Sequence, residues 1–434
     1  MSLLAGGDVT LIILIFSMFG LMALGVPIFI SIGITAFTGL ALVFGVNQAS
    51  VDFASFLWQS LNKFELVTIP LFVFAAMLVQ AARLGDELFE FAKVCIGFVP
   101  NGLGVAVILT CAIFAGITGS SPVTAVTVGL IALPALAREG YSDRVRGALI
   151  AGGGTLGILL PPSLPLIIYG VLTETSIGSL FMATVIPGLL LAFLFSLYVI
   201  IFNRPAVRVQ SYDWHERRPI LLKGAPIVAL PIFIIVSIYF GVVTPTETGA
   251  VAATYILAIG LIRRRLNARL ILNAAMNAAL TSSMLLLIFG TGSVFARYSA
   301  LLQLPQSIAS GVSTLPGGPL IIFTGIIVTD LLLGTFLESG ALTILTIPIF
   351  FPIAHAIGIN PVQFGVIIAV NQEIAQIHPP AGLNLVTVAS ISDIPLTRMM
   401  KSILPFIAIE LVMVYALYFF PELTLFLPSH MRMP

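Results

Sequence analysis

The sequence predicts an all-α polytopic membrane protein built from two inverted repeats, and three observations carry that prediction. Of the 434 residues, 59% are hydrophobic and only 9% are charged, against about 25% charged in soluble domains. Apolar runs near the ~20 residues that span a bilayer recur along the chain. Glycines and prolines of the first half reappear in the second at a fixed offset of 218 residues.

The plain runs lie near 9–27, 28–46, 65–82, 181–202, 222–243, 248–262, 274–296 and 402–420. Two further apolar regions, 102–178 and 318–393, are broken by Gly, Ser and Pro. Each is too long for one helix and too punctuated for two plain ones. The longest polar stretch is "FNRPAVRVQSYDWHERRP", residues 202–219, a natural boundary between halves. Across it Pro27 maps to Pro245, Gly116 to Gly334, Ser121 to Ser339 and Pro134 to Pro352. Gly140 maps to Gly358, Pro161 to Pro379, Pro162 to Pro380 and Pro187 to Pro405. Gly and Pro fix backbone geometry, so shared positions imply shared bends. The expected organisation is a first repeat over 1–203, a cytoplasmic linker over 204–221 and a second repeat over 222–434. The first repeat holds a hairpin at about 102–138 and a split helix at about 144–178. The second holds a hairpin at about 318–356 and a split helix at about 361–393.

Charge sets the orientation. With the N-terminus outside and a re-entrant hairpin in each broken region, only Lys63, Arg297 and Arg432 of the 19 basic residues stay outside. The loops at 83–93, 138–146 and 263–269 then face the cytoplasm, as the positive-inside rule asks. Both termini fall on the periplasmic side. An odd number of crossings between the halves turns the second copy upside down.

Composition also excludes. A formal net charge of +1 argues against nucleic acid as a partner. Cys95 and Cys111 lack metal-ligand spacing. "GTGSVF", residues 290–295, sets a serine beside glycine with no histidine motif near it, and no HExxH occurs. No catalytic residue, cofactor or cleaved signal peptide is expected.

The double prolines explain themselves in a transporter. Pro161–Pro162 in "GILLPPSLPLIIYG" and Pro379–Pro380 in "QIHPPAGLNL" break a helix at membrane depth. Freed carbonyls there must face a protein-lined cavity. Such carbonyls suit Na⁺, and the positive ends of half-helices suit an anionic substrate. Upstream of each break lies a small-residue turn, "GITGSSPVTA" at 116–125 and "GTFLESGALT" at 334–343. Both fit the tip of a helical hairpin, where hydroxyls add oxygens; the same residues also serve close helix packing. Interrupted helices in inverted repeats are the sequence pointer to a secondary transporter's binding site. Glu338 is an acid at a hairpin tip in an apolar region, which reads as an ion ligand or as a clasp on the hairpin. Asn371 and Glu373 precede the second break, and Glu373 has the chemistry to coordinate, pair or carry protons. His378 stands directly before the prolines, in reach of substrate or packed as an ordinary histidine.

"AGITGSSPVTAVTVGLIALPALAREGY", "GGTLGILLPPSLPLIIYG", "TPTETGAVAA" and "NQEIAQIHPPAGLNLVTVASI" resemble the large membrane subunit of TRAP (tripartite ATP-independent periplasmic) transporters. The resemblance covers nearly the whole chain. It implies an elevator-type fold with a static scaffold and a mobile transport body in the bacterial inner membrane. It implies Na⁺-coupled import of a small organic acid such as sialic acid or a C4-dicarboxylate. A periplasmic substrate-binding protein and a small four-helix membrane subunit are the implied partners. The implied Na⁺ positions are Gly116, Thr118, Gly119, Ser120, Ser121 and Pro161, and then Gly334, Thr335, Glu338, Ser339, Pro379 and Gly382. Substrate candidates are Ser163, Asn371, His378 and Asn384. His378 stands where the family usually has Thr, Glu338 where it often has Asp, and Ala375 where it usually has Gly. A self-sufficient Na⁺/carboxylate symporter is the competing reading.

Overall fold

The computed structural model describes residues 13–14, 16–202, 213–303 and 318–432. Among them the regular structure is helical, and eight helices are long and apolar enough to cross a bilayer. The first half runs α1 (Ile28–Phe44), α2 (Val46–Leu61), α3 (Thr68–Ala81), α4 (Leu84–Ile96), α5 (Gly102–Thr118) and α6 (Ser121–Arg138). It continues with α7 (Asp143–Thr155), α8 (Leu164–Thr173) and α9 (Ile177–Phe202). The second half runs α10 (Trp214–Tyr239), α11 (Pro245–Ile262), α12 (Ala268–Leu301), α13 (Gly318–Gly334) and α14 (Ser339–Ala356). Then come α15 (Pro361–Ile377), α16 (Leu383–Ser390), α17 (Leu396–Phe419) and α18 (Glu422–His430).

Local chemistry places the boundaries. Thr244 and Glu247 form a capping box at the start of α11, whose first residue is Pro245. That proline has no N–H to leave unpaired. Asn360 caps α15, again with proline first, and Asn267 caps α12. The second arm of each hairpin ends on a left-handed glycine. Gly140 has φ +81° and Gly358 φ +85°. Each is followed by an N–H that reaches back five residues, from Tyr141 to Leu136 O and from Ile359 to Ala354 O. Only glycine enters that conformation freely. The two stops are 218 residues apart, as are the starts and ends of α6 and α14.

Helix packing sorts most of the described helices into two groups. α3 lies against α11 and α12, and α1 against α2 and α12, which makes a scaffold. The second group holds α5–α9 and α13–α17. Within it the split helices exchange their second halves. α8 of the first repeat packs on α14 and α15 of the second. α16 of the second packs on α6 and α7 of the first. This reciprocal exchange is what a pseudo-two-fold axis between the copies produces.

Three expectations change. Residues 83–93 are no loop, because α4 occupies them. Its Leu84, Leu88, Phe89 and Ala92 are buried on one side, with Asp86, Glu87, Glu90 and Lys93 interleaved. A helix with one apolar stripe escapes a search for long apolar runs. α2 escaped for the same reason. Residues 204–212 of the expected linker lie outside the described residues, and the rest is helical from Trp214, because Asp213 and Glu216 cap α10.

Two of the basic segments are held by acidic partners. Glu87 of α4 pairs with Arg263 and with Arg265, the latter at 3.3 Å. Asp143 pairs with Arg146 at 2.6 Å and Arg398 at 3.2 Å. The Arg146 guanidinium beside Asp143 holds that carboxyl below the usual carboxylate range.

Candidate functional site

The first hairpin tip is seated on the first helix break. α5 ends at Gly119, left-handed at φ +62°, and α6 restarts at Ser121 with Pro122 in its first turn. The Gly119 carbonyl accepts from Leu164 N, just past the double proline, at 3.4 Å. A Cβ on Gly119 would stand 2.7 Å from the Pro162 carbonyl oxygen. One on Gly157 would stand 2.6 Å from the Ser120 carbonyl oxygen. Glycines on both sides therefore let tip and break touch backbone to backbone. Gly116 lies against Pro231 of α10 and the Pro161 carbonyl. The Thr118 hydroxyl bonds within its own helix and meets Thr124 Oγ1 at 3.0 Å. Ser163 is fully buried and donates to the Ile158 carbonyl, so its hydroxyl is turned into the break.

The second repeat crosses over to complete this tip. Asn384 of α16 donates to Ser121 Oγ at 2.6 Å and to the Ala151 carbonyl at 3.2 Å. Ser121 in turn donates to the Gly154 carbonyl at 3.0 Å. The Asn384 Oδ1 is buried with no partner. Ser121 and Asn384, drawn from different halves of the sequence, thus belong to one cluster.

The second tip is built differently. Glu338 caps α14, accepting from Gly340 N at 2.8 Å and Ala341 N at 3.3 Å, so it serves here as a clasp on the hairpin. Ser339 Oγ accepts from Gln376 Nε2 at 3.0 Å. Thr335 bonds its own helix at Leu331 O, and Gly334 sits under Leu342 and Ala375. His378 and Pro379 are half-buried and Pro380 is exposed, whereas the whole first break is buried. The second break is therefore the more open of the two. His378 Nδ1 is buried without a partner, and Gly382 N donates to the His378 carbonyl at 2.9 Å. The Pro161–Pro162 and Pro379–Pro380 bonds are both cis. Asn371 lies away from the break, fully buried against α13, where it donates to Asp330 Oδ2 at 2.9 Å and Ile327 O at 3.1 Å.

Several polar residues here went unread in the sequence. Asp330 joins Asn371 to Thr346, whose hydroxyl it accepts at 3.1 Å. Gln372 exchanges bonds with Thr343 at 3.0 and 3.2 Å. Glu410 is fully buried with Thr155 at 2.7 Å. Asp330 and Glu410 each stand alone in an apolar run, "IIVTDLLLG" and "IAIELVMV". That is the signal that singled out Glu338, and it was equally legible for them.

A cavity of about 730 Å³ opens between scaffold and body, lined by Lys63, Glu65, Glu174 and Thr244 among others. Lys63 spans the two groups, its Nζ donating to the Val171 carbonyl at 3.2 Å.

Paired hairpins, exchanged split helices and polar clusters at their meeting points define a polytopic membrane protein with the architecture of a secondary transporter. The family model for the DctM component of tripartite ATP-independent periplasmic transporters matches residues 15–423, and the chain belongs to that family. It is 35% identical to the C4-dicarboxylate TRAP transporter large permease protein DctM of Pseudomonas aeruginosa, covering 87% of this chain and 89% of that one. It is 32% identical to the sialic acid TRAP transporter large permease protein SiaM of Vibrio cholerae, over 96% of this chain and 97% of that one. Among solved structures, the Alcanivorax borkumensis YdaH transporter shares the fold, with a TM-score of 0.61, 15% identity and coverage of 87% of this chain and 89% of that one.

Proposed function

We propose that the chain is the large membrane subunit of a Na⁺-coupled importer of a small organic acid. A periplasmic binding protein delivers the acid, and a small four-helix subunit completes the complex in the bacterial inner membrane. The observation that carries this reading is the Ser121–Asn384 junction, where a hairpin tip, a broken helix and the other repeat's half-helix converge. Na⁺ needs oxygen ligands, and tips seated on helix breaks present carbonyls and hydroxyls in a protein-lined setting. The Na⁺ positions are drawn from Gly116, Thr118–Ser121 and Pro161 in one repeat. In the other they are drawn from Gly334, Thr335, Glu338, Ser339, Pro379 and Gly382.

The acid sits against the more open second break. His378 and Asn384 are placed to meet it, each with an unused buried polar atom. Ser163 spends its hydroxyl on Ile158, and Asn371, although its Oδ1 is also unpartnered, lies away from the break against Asp330. Relatives named for C4-dicarboxylates and for sialic acid support a carboxylate as cargo.

The test is uptake in proteoliposomes holding both membrane subunits, with the binding protein added outside. Uptake is expected to need an inward Na⁺ gradient, the binding protein and no ATP. Full-rate uptake with K⁺ in place of Na⁺ defeats the coupling. Full-rate uptake without the binding protein favours a self-sufficient symporter.

A further inference from the structure

Glu373 and Glu410 are fully buried on α15 and α17, two helices packed on each other, and among the described residues neither forms an ion pair. Both oxygens of Glu373 and Oε2 of Glu410 have no hydrogen-bond partner. Glu373 lies one turn before the end of α15 and Glu410 lies on α17. Thr155, the last residue of α7, completes the group from the first repeat. Thr155 and Glu373 are 218 residues apart, so they hold equivalent places on the two half-helices. The group therefore sits where the repeats cross.

Two adjacent carboxylates in a low-dielectric interior repel each other and lose their hydration. One positive charge has to be present. The other charged and titratable groups on the packed elements are committed or distant. Asp330 of α13 is held by Asn371 and Thr346. Tyr169 of α8 donates to the Pro361 carbonyl. Asp143 and Arg146 of α7 pair with each other, and Arg398 of α17 joins them. Tyr415 of α17 meets Thr324, Tyr198 of α9 and Tyr418 of α17 pack on phenylalanines, and His430 of α18 bonds Phe426 O. His355 of α14 packs on Phe351 near that helix's end. Glu338 caps the start of α14, Glu422 opens α18, and Arg144 and Lys401 lie near the starts of α7 and α17.

The hydroxyl geometry points to the occupant. Thr155 Oγ1 lies 2.7 Å from the Gly152 carbonyl and 2.7 Å from Glu410 Oε1. A hydroxyl carries one hydrogen. Spent on Gly152, it leaves a lone pair toward Glu410, which a protonated carboxyl fills by donating. A proton also needs no coordination shell, and the interior here is tight: a Cβ on Gly152 would stand 2.5 Å from the Phe406 ring.

We propose that Glu373 and Glu410 form a proton-binding site that holds one proton at neutral pH, seated on Glu410 and directed at Thr155 Oγ1. In the transporter reading above, on which this consequence alone rests, the proton travels with the substrate-bearing body and sets the charge that body carries.

The test needs neither substrate nor partner, so its failure is separable from failure of that reading. Infrared difference spectra of the purified chain are taken for wild type, Thr155→Val and the double variant Glu373→Gln/Glu410→Gln. The expected result is a protonated-carboxyl band in wild type at about pH 7. Thr155→Val shifts its frequency, the double variant lacks it, and alkali abolishes it in wild type. Should the double variant not fold, the shift by the near-isosteric Thr155→Val decides. A wild type with only ionised carboxylate signals at that pH overturns the proposal. So does a band unchanged in the variants, or one that Na⁺ removes at constant pH.

Discussion

Asn384 donates a 2.6 Å hydrogen bond to Ser121 across 263 residues of sequence. It ties the second half of one split helix to the hairpin tip of the other repeat. The other bond of Ser121 goes to the Gly154 carbonyl of its own repeat. Ser121→Ala removes both bonds, and Asn384 keeps only the Ala151 carbonyl. The expected cost is about 1–2 kcal/mol, read as a lowered unfolding midpoint and a several-fold higher Na⁺ concentration for half-maximal uptake. Wild-type behaviour in both would reduce the contact to packing.

Gly119→Ala should be costly, and for two separable reasons. Its φ of +62° disfavours any side chain, and the new Cβ would stand 2.7 Å from the Pro162 carbonyl. Gly25→Ala is the control, with φ +84° and nothing within 4 Å. The control should lose about 1 kcal/mol. Gly119→Ala should lose more and impair uptake, measured by thermal unfolding and transport side by side.

Glu338 separates cap from ligand by its variants. Gln retains an acceptor for the Gly340 and Ala341 N–H groups, while Ala retains none. Glu338→Ala should cost about 1 kcal/mol of stability and Glu338→Gln less. A loss of Na⁺ affinity in the Gln variant, without loss of stability, would show that the carboxylate also serves the ion.

Orientation is testable at exposed residues. In a background lacking Cys95 and Cys111, cysteines at Arg144 and Arg264 should resist an impermeant thiol reagent added to intact cells. A cysteine at the exposed Glu174 should react. Tyr141 is a poor reporter, because it is buried and its hydroxyl bonds the Asn101 carbonyl. Labelling of residue 144 from outside would overturn the charge-based topology.

The hairpins and split helices were legible because Gly and Pro act locally. Gly140 and Gly358 stop helices through their own φ, and the double prolines break them by lacking N–H groups. α4 was hidden because its apolar stripe is interrupted by Asp86, Glu87 and Glu90. What joins the repeats was hidden for a different reason. Ser121 shows its hydroxyl in the sequence, but nothing near it names Asn384 as its partner. Glu410 was readable as a lone acid in an apolar run, yet its neighbours Glu373 and Thr155 come from two other helices. Glu338 announced itself as an acid at a tip, and only the geometry of Gly340 and Ala341 gives it a capping role.

We propose that the body moves against the scaffold as one unit while keeping its site intact. Lys63 and Val171 bridge the two groups, so this contact offers the most direct measurement. Cysteines replace Lys63 and the exposed Glu174, which line the same cavity a few residues from that contact, in the background lacking Cys95 and Cys111, and a short cleavable bifunctional reagent links them in reconstituted complexes. Uptake should stop when the link forms and return when it is cleaved, with Na⁺ binding unchanged throughout. Uptake at the full rate with the link in place would contradict the account.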